Sequence, residues 1–237
     1  MKRWVSPDID EDPRPRAVPE LKLPRAEWPV TRTFDCGDIV PPLELSFAAT
    51  LEARRSHRVM SRAPLREVVN AIAFGVRPRE RIEGDALGRS LRPSPSAGAI
   101  HPVDVLLVHG SSRVFRYSPL AHQLEGLRVR RREELETFLE DCGQILPEAA
   151  GTAIVLVGEV NRVAAAYTRP ESLLWRDAGV LLQTLALVAT AYRLAFCPLG
   201  ILGTPVVRAM GLSEYVSAVG VALIGRFGSG GTDGGGG

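Results

Sequence analysis

Ala178 to Leu194 (AGVLLQTLALVATAYRL) restricts the fold more than any other segment. A stretch this apolar must leave water, either in a bilayer or in a protein core. A spanning helix needs about 20 apolar residues with few interruptions. Here Gln183, Thr184, Thr190 and Arg193 interrupt the run, and Arg176 and Asp177 stand at its start. The segment Leu173 to Leu194 therefore reads as a helix buried in protein, with no membrane partner. Such a helix needs other layers packed around it. With 45% hydrophobic residues in 237, the chain can supply one sizeable core or two modest ones.

The layers are visible on either side. Val103 to Val108 is rich in β-formers, with Arg113 to Tyr117 and Gln123 to Arg128 placed to pair with it as a meander. Thr152 to Val160 reads as a buried strand and Val216 to Ile224 as a closing one. Helices are expected over Leu43 to Ala53, from Pro64 to a stop at Gly75, over Arg131 to Asp141 and over Pro205 to Met210. The Pro64 helix carries its stripe on Leu65, Val68, Val69 and Ile72. Residues 76–92 are charged and loop-like. Strands in one block with helices around them indicate an α+β fold. No G-x-G-x-x-G follows an early strand, which argues against a Rossmann dinucleotide domain.

Residues 1–42 are rich in proline and charge and lack a period; they read as an extended N-terminal arm, disordered or draped over a partner. Residues 43–228 form the body, and 229–237 a disordered glycine-rich tail. A net charge of +2 gives no field that calls for nucleic acid. Cys36, Cys142 and Cys197 are far apart, with no metal spacing; their odd number suits a reduced cytoplasm. The start, MKRWVSPDID, lacks the apolar stretch of a signal peptide, so a cytoplasmic location is expected.

Three stretches carry chemistry. In Arg54-Arg55-Ser56-His57-Arg58 an extended chain would turn Arg54, Ser56 and Arg58 to one side. Two guanidinium forks and a hydroxyl match a phosphate monoester; a charged helix end would also look like this. Ser94 to Pro102 (SPSAGAIHP) makes a stiff turn with little side-chain bulk, able to approach a flat ring or simply to lead into a strand. In Cys197 to Gly203 (CPLGILG), Gly200 offers an N–H with no side chain in the way. An N–H held beside a redox-active ring would favour hydride transfer. The plainer alternative is a strand ending in a glycine turn, with Thr204 capping the next helix.

Taken in order, RRSHR, RPSPSAGAIHP and LLWRDAGVLLQTLALVATAYRLAFCPLGILG resemble the nitroreductase superfamily, and most closely its SagB-type peptide dehydrogenase branch. The resemblance covers residues 43–226. It implies a mainly antiparallel sheet flanked by helices, an intertwined homodimer and two FMN at the dimer interface. Arg54, Ser56 and Arg58 match the family's phosphate grip. Pro95, Ser96, Ala97 and Ala99 match the loop that reaches the flavin from the other subunit. Pro198, Leu199 and Gly200 match the backbone beside the isoalloxazine ring. Arg226 corresponds to a late basic residue on the phosphate.

The sequence departs from the branch at one telling place. SagB-type enzymes carry a Lys-Tyr pair ahead of the Asp-Ala-Gly helix; residues 162–169 read RVAAAYTR, with no lysine. Tyr167 stands where that tyrosine does or is an unrelated core residue. His101 replaces a polar residue common in the middle loop of simple nitroreductases, which also tend to have more polar residues at Ala97 and Gly200. Tyr167 and His101 are the candidate catalytic side chains, His101 also being a candidate structural residue. The resemblance implies an FMN-dependent oxidoreductase working by ping-pong exchange, its flavin reduced by NAD(P)H or by substrate. A nitro group, a quinone, an enone or a heterocycle in a modified peptide would serve as substrate. Two alternatives are a dimeric scaffold or peptide-binding relative without redox activity, and chemistry on the flavin itself.

Overall fold

The computed structural model describes residues 12–42, 45–212 and 214–228. The expected tail over 229–237 and the first eleven residues of the expected arm lie outside them. In chain order the elements are β1 (Arg14–Pro15), β2 (Val30–Asp35), α1 (Phe47–Ala53), β3 (Met60–Ser61), α2 (Leu65–Val76), β4 (Glu80–Arg81) and β5 (Ser90–Leu91). A 3-10 turn (Ala97–Ala99) leads to β6 (Val103–His109), β7 (Arg113–Ser118), β8 (Gln123–Leu127), α3 (Arg132–Ile145) and β9 (Thr152–Gly158). Then come α4 (Val160–Ala164), β10 (Tyr167–Thr168), α5 (Glu171–Ala191), β11 (Ala195–Leu199), α6 (Thr204–Met210) and β12 (Ser217–Phe227).

The main sheet runs β11-β12-β9-β6-β7-β8-β2, with β3 added to the end of β12. Its strand pairs are all antiparallel. The central strands β6 and β9 are buried at every position. They carry unbroken apolar runs because both faces are covered. Leu107, Ile154, Leu156, Ala222 and Ile224 face one core together with α2 and α5. Leu106, Val108, Val155, Val157 and Val221 face a second core with α3 and α6. The result is an α+β fold with a mainly antiparallel sheet between helical layers, as the element order indicated.

α5 is long and apolar enough to cross a bilayer by length and composition. It instead buries Leu174, Ala178, Leu181, Leu185 and Ala189 in the first core, worth about 1.5–3 kcal/mol for each large side chain. α2 packs against it. Gly75, read as a helix stop, lies inside α2, which runs on to Val76. A Cβ at Gly75 would stand 3.4 Å from both Leu185 and Val188, so the glycine serves the close approach of the two helices. α1 starts at Phe47, later than expected, because the Ser46 hydroxyl accepts from Ala49 N–H at 3.1 Å. The charged stretch 76–92 contains the small β4–β5 hairpin.

The arm differs from the expectation of a disordered or partner-draped segment. Its described residues are bound to their own chain. β1 pairs with β10, Arg16 and Glu20 N–H donate to Ala166 and Ala165 carbonyls, and Arg25 pairs with Glu159 at 2.7 Å. β2, which the sequence reading left in the arm, is the edge strand beside β8. All six of its residues are exposed, so no buried face printed an alternation into the sequence.

Candidate functional site

The first and third stretches lie side by side. α1 ends at Arg54, whose backbone is extended, and the chain runs on without regular structure to β3. The N–H of His57 donates to Phe196 O at 3.0 Å, pinning this run to β11. The His57 ring packs edge-on against Phe227, with centroids 4.8 Å apart. Arg54 is half-buried, while Ser56 and Arg58 are exposed. Burial pushes the Cys197 thiol pKa up, and the Arg58 charge beside it pulls the other way. Arg58 therefore stands next to β11, which ends at Leu199, just before Gly200. Gly200 faces open space: a Cβ there would meet nothing within 4 Å. Gly203 closes the turn in a left-handed conformation (φ 86°), and Gly203, rather than Thr204, occupies the cap position of α6.

The second stretch is fastened to the long helix. Ser96 Oγ donates to Asp177 Oδ2 at 2.5 Å, and Ala97 N–H donates to Asp177 Oδ1 at 3.2 Å. Ser96 Oγ in turn accepts from His101 N–H at 2.9 Å. Ala99 (φ 57°) and His101 (φ 50°) are left-handed without being glycine, a strain of about 1–3 kcal/mol each that the surrounding bonds must hold. Burial is the main cause of the raised Asp177 pKa; the bonds from Ser96 and Ala97 act against it. Pro95 is exposed at the tip, Ala97 and Ala99 half-buried. The Ser96 hydroxyl, expected toward a cofactor, is engaged within its own chain.

His101 is buried, with Nε2 bonded to Ser90 O at 2.8 Å. Because a carbonyl can only accept, Nε2 carries the proton. Burial and then the Arg92 charge lower its pKa to about 4, so the ring is neutral at neutral pH. Tyr167 is half-buried on β10, its hydroxyl 3.0 Å from where a Cβ on Gly98 would be; it lies over the second stretch. Arg226 pairs with Ser61 in the sheet and is held by both carboxylate oxygens of Glu67. Its guanidinium has a partner in place of a phosphate.

The second stretch does not join the other two within one chain. Leu199 is opposite Val221, Val221 opposite Val155, and the second stretch enters the sheet at Val103 on β6, opposite Gly158. From β11 to β6 is three strand spacings, about 14 Å. Asp177 was quoted in the sequence motif without a role; its signal was a carboxylate at the start of an apolar helix. Glu67 gave none, being an ordinary first-turn acid. A larger cavity of about 920 Å³, between residues 34–42, α2 and Tyr192, holds no candidate residue except through the Glu67 partner of Arg226. No cluster of three or more histidines, cysteines and acids among the described residues could hold a metal.

A protein classed as a nitroreductase from Ralstonia eutropha JMP134 shares the fold with a TM-score of 0.64 and 19% identity, over 92% of this chain and all of the other. A chain of the Escherichia coli microcin synthetase McbBCD complex, bound to truncated pro-MccB17, gives 0.53 and 17%, over 72% of this chain and 66% of that one. A nitroreductase-type protein of Desulfovibrio desulfuricans in complex with FMN gives 0.50 and 15%, over 80% and 91%. No curated protein matches. The family model for the nitroreductase family matches residues 51–226, which span the phosphate-type strip, the strained loop and the glycine-ended strand, and the chain belongs to that family of FMN-binding oxidoreductases.

Proposed function

We propose that two copies of this chain enclose FMN at their interface and use it to move two electrons between a donor, NAD(P)H or the substrate itself, and a small molecule or modified peptide. The observation that carries the reading is the joining of the Arg54-Ser56-Arg58 strip to the open end of β11 by the His57–Phe196 hydrogen bond. The residues present fit the cofactor. Two guanidinium groups and a hydroxyl supply donors for a phosphate monoester, and the missing Cβ at Gly200 leaves room for a ring against the backbone. When bound, the flavin supplies hydride chemistry. Arg54, Ser56 and Arg58 would hold its phosphate, and Pro198, Leu199 and Gly200 would bound its ring. The loop of Pro95, Ala97 and Ala99 would come from the second subunit, since the same chain carries it three strands across and three residues further along the sheet. Ser96 shapes that loop through Asp177. Arg226 joins the grip only if it leaves Glu67.

The dimer is supported by exposed apolar side chains. Phe47 and Leu51 on α1, Val180 on α5 and Leu202 beyond β11 are all exposed, Phe47 at 71%, and α1 packs against α5. Exposed apolar side chains on packed helices suit an association surface. Tyr167 is the side chain placed to offer a proton beside the loop. The microcin synthetase likeness supports a peptide substrate; the absent lysine weighs against azoline oxidation itself.

Absorbance and light scattering on purified protein test the reading. One flavin per chain, released as FMN on denaturation, and a dimer mass are expected. A chain that stays colourless with excess FMN, or a monomer that binds FMN tightly, would overturn it; the first result favours a scaffold role.

A further inference from the structure

A polar cavity of about 330 Å³, which the flavin reading does not use, lies between the arm, β6, β7 and the start of α4. Four arginines line it: Arg25, Arg92, Arg116 and Arg162. Three carboxylates are within ion-pair distance of them. Glu159 takes Arg25 at 2.7 Å and Glu125 takes Arg116 at 2.8 Å. Asp104 lies 3.6 Å from Arg162 and 3.8 Å from Arg116. One guanidinium is left over. Arg92 makes a single hydrogen bond, Nε to Ser90 Oγ at 3.0 Å, and no ion pair among the described residues. Burial, with Arg162 nearby, lowers its pKa to about 10. No buried side-chain nitrogen among the described residues lacks a partner, so the terminal nitrogens of Arg92 are solvent-accessible; Arg92 lines this cavity and also a narrow gap beside Ser94 and His101.

A cation held this way costs stability, and side chains that cost stability mark functional sites. One excess charge calls for a monoanion, and the planar fork of Arg92 suits a carboxylate. The walls add an apolar side: Trp28, whose ring lies 4.8 Å from the Arg116 guanidinium, together with Pro119 and Leu120. We propose that this cavity binds a small carboxylate, gripped by Arg92 beside the Asp104-paired Arg162, with its apolar body against Trp28 and Leu120. The arm forms the cover: Arg25 and the Ala26 N–H both bind Glu159, and Asn161 holds Pro24 O. Occupation would reach the loop directly, because Arg162 donates to Ile100 O at 3.3 Å.

The site does not depend on the flavin reading, and its test keeps the two apart. The whole chain is saturated with FMN to engage Arg54 and Arg58; if it takes up no flavin, Arg58→Ala replaces that step. Benzoate is titrated at constant ionic strength and followed by saturation-transfer NMR, with inorganic phosphate as comparator. Saturable benzoate binding is expected, at least tenfold weaker in Arg92→Gln and unchanged in Arg58→Ala. Arg92→Gln should melt no lower than the parent, since it removes a costly charge. Arg92→Lys, which keeps the charge and loses the fork, should bind at an intermediate level and serves if the glutamine variant fails to fold. Equal benzoate affinity in parent and Arg92 variants, preference for phosphate, or a lower melting point for a folded Arg92→Gln would overturn the proposal.

Discussion

The Ser96 hydroxyl donates to the Asp177 carboxylate at 2.5 Å, tying the loop before β6 to the apolar helix 81 residues further on. Asp177→Ala would leave that hydroxyl and the Ala97 N–H without their acceptor. A loss of about 1–3 kcal/mol is expected in urea unfolding, with faster hydrogen exchange at residues 97–101 than elsewhere. The raised Asp177 pKa sets the sign with pH. The fold favours the protonated acid, a contribution fully present below about pH 3.9 and lost as pH rises through the raised value. The parent should therefore lose stability relative to Asp177→Asn on going from pH 4 to pH 7.

His101 acts in the opposite sense. Its pKa falls from an ordinary 6.5 to about 4 in the fold, so the neutral ring is favoured. That stability is present above pH 6.5 and is lost as pH falls toward 4. By the usual 1.36 kcal/mol per pH unit, the loss reaches about 3 kcal/mol. His101→Gln should flatten this part of the stability profile. In the parent, rates of flavin reduction should show no His101 titration between pH 5.5 and 8; a break there that vanishes in the glutamine variant would restore His101 as a catalytic candidate.

Arg58 and Arg226 should separate in a flavin titration. Arg58→Ala is expected to weaken FMN binding by about 1.5–3 kcal/mol, roughly ten- to a hundredfold. Arg226→Ala should change it less than about threefold, because Glu67 already holds that guanidinium. Equal losses in both would put Arg226 on the phosphate.

Gly200 and Gly203 are three residues apart and answer to different constraints. A Cβ at Gly203 would come within 2.7 Å of Val155 and 2.9 Å of Val221, in a left-handed backbone. Gly203→Ala should cost about 2–5 kcal/mol in stability. Gly200→Ala should leave the melting temperature unchanged while weakening FMN binding, since its Cβ would enter the space assigned to the ring. A destabilised Gly200→Ala with normal flavin affinity would contradict that assignment.

The elements of this chain were written locally. The apolar runs of β6 and β9, the stripe of α2 and the long core helix fixed the layers, because periodicity and burial follow from neighbours a few residues apart. The order of the strip, loop and glycine-ended strand was enough to point to the family. Tertiary structure alone decided the partners. VTRTFD carries no buried face, and it became an edge strand only because β8 offered its free side. Ser96 found Asp177, Arg226 found Glu67, and Arg92, Arg116 and Arg162 came to share one cavity across separations no local pattern records. A side chain's bonding capacity is fixed by its own chemistry; which acceptor lies within 3 Å of it is set by the packing of the whole chain.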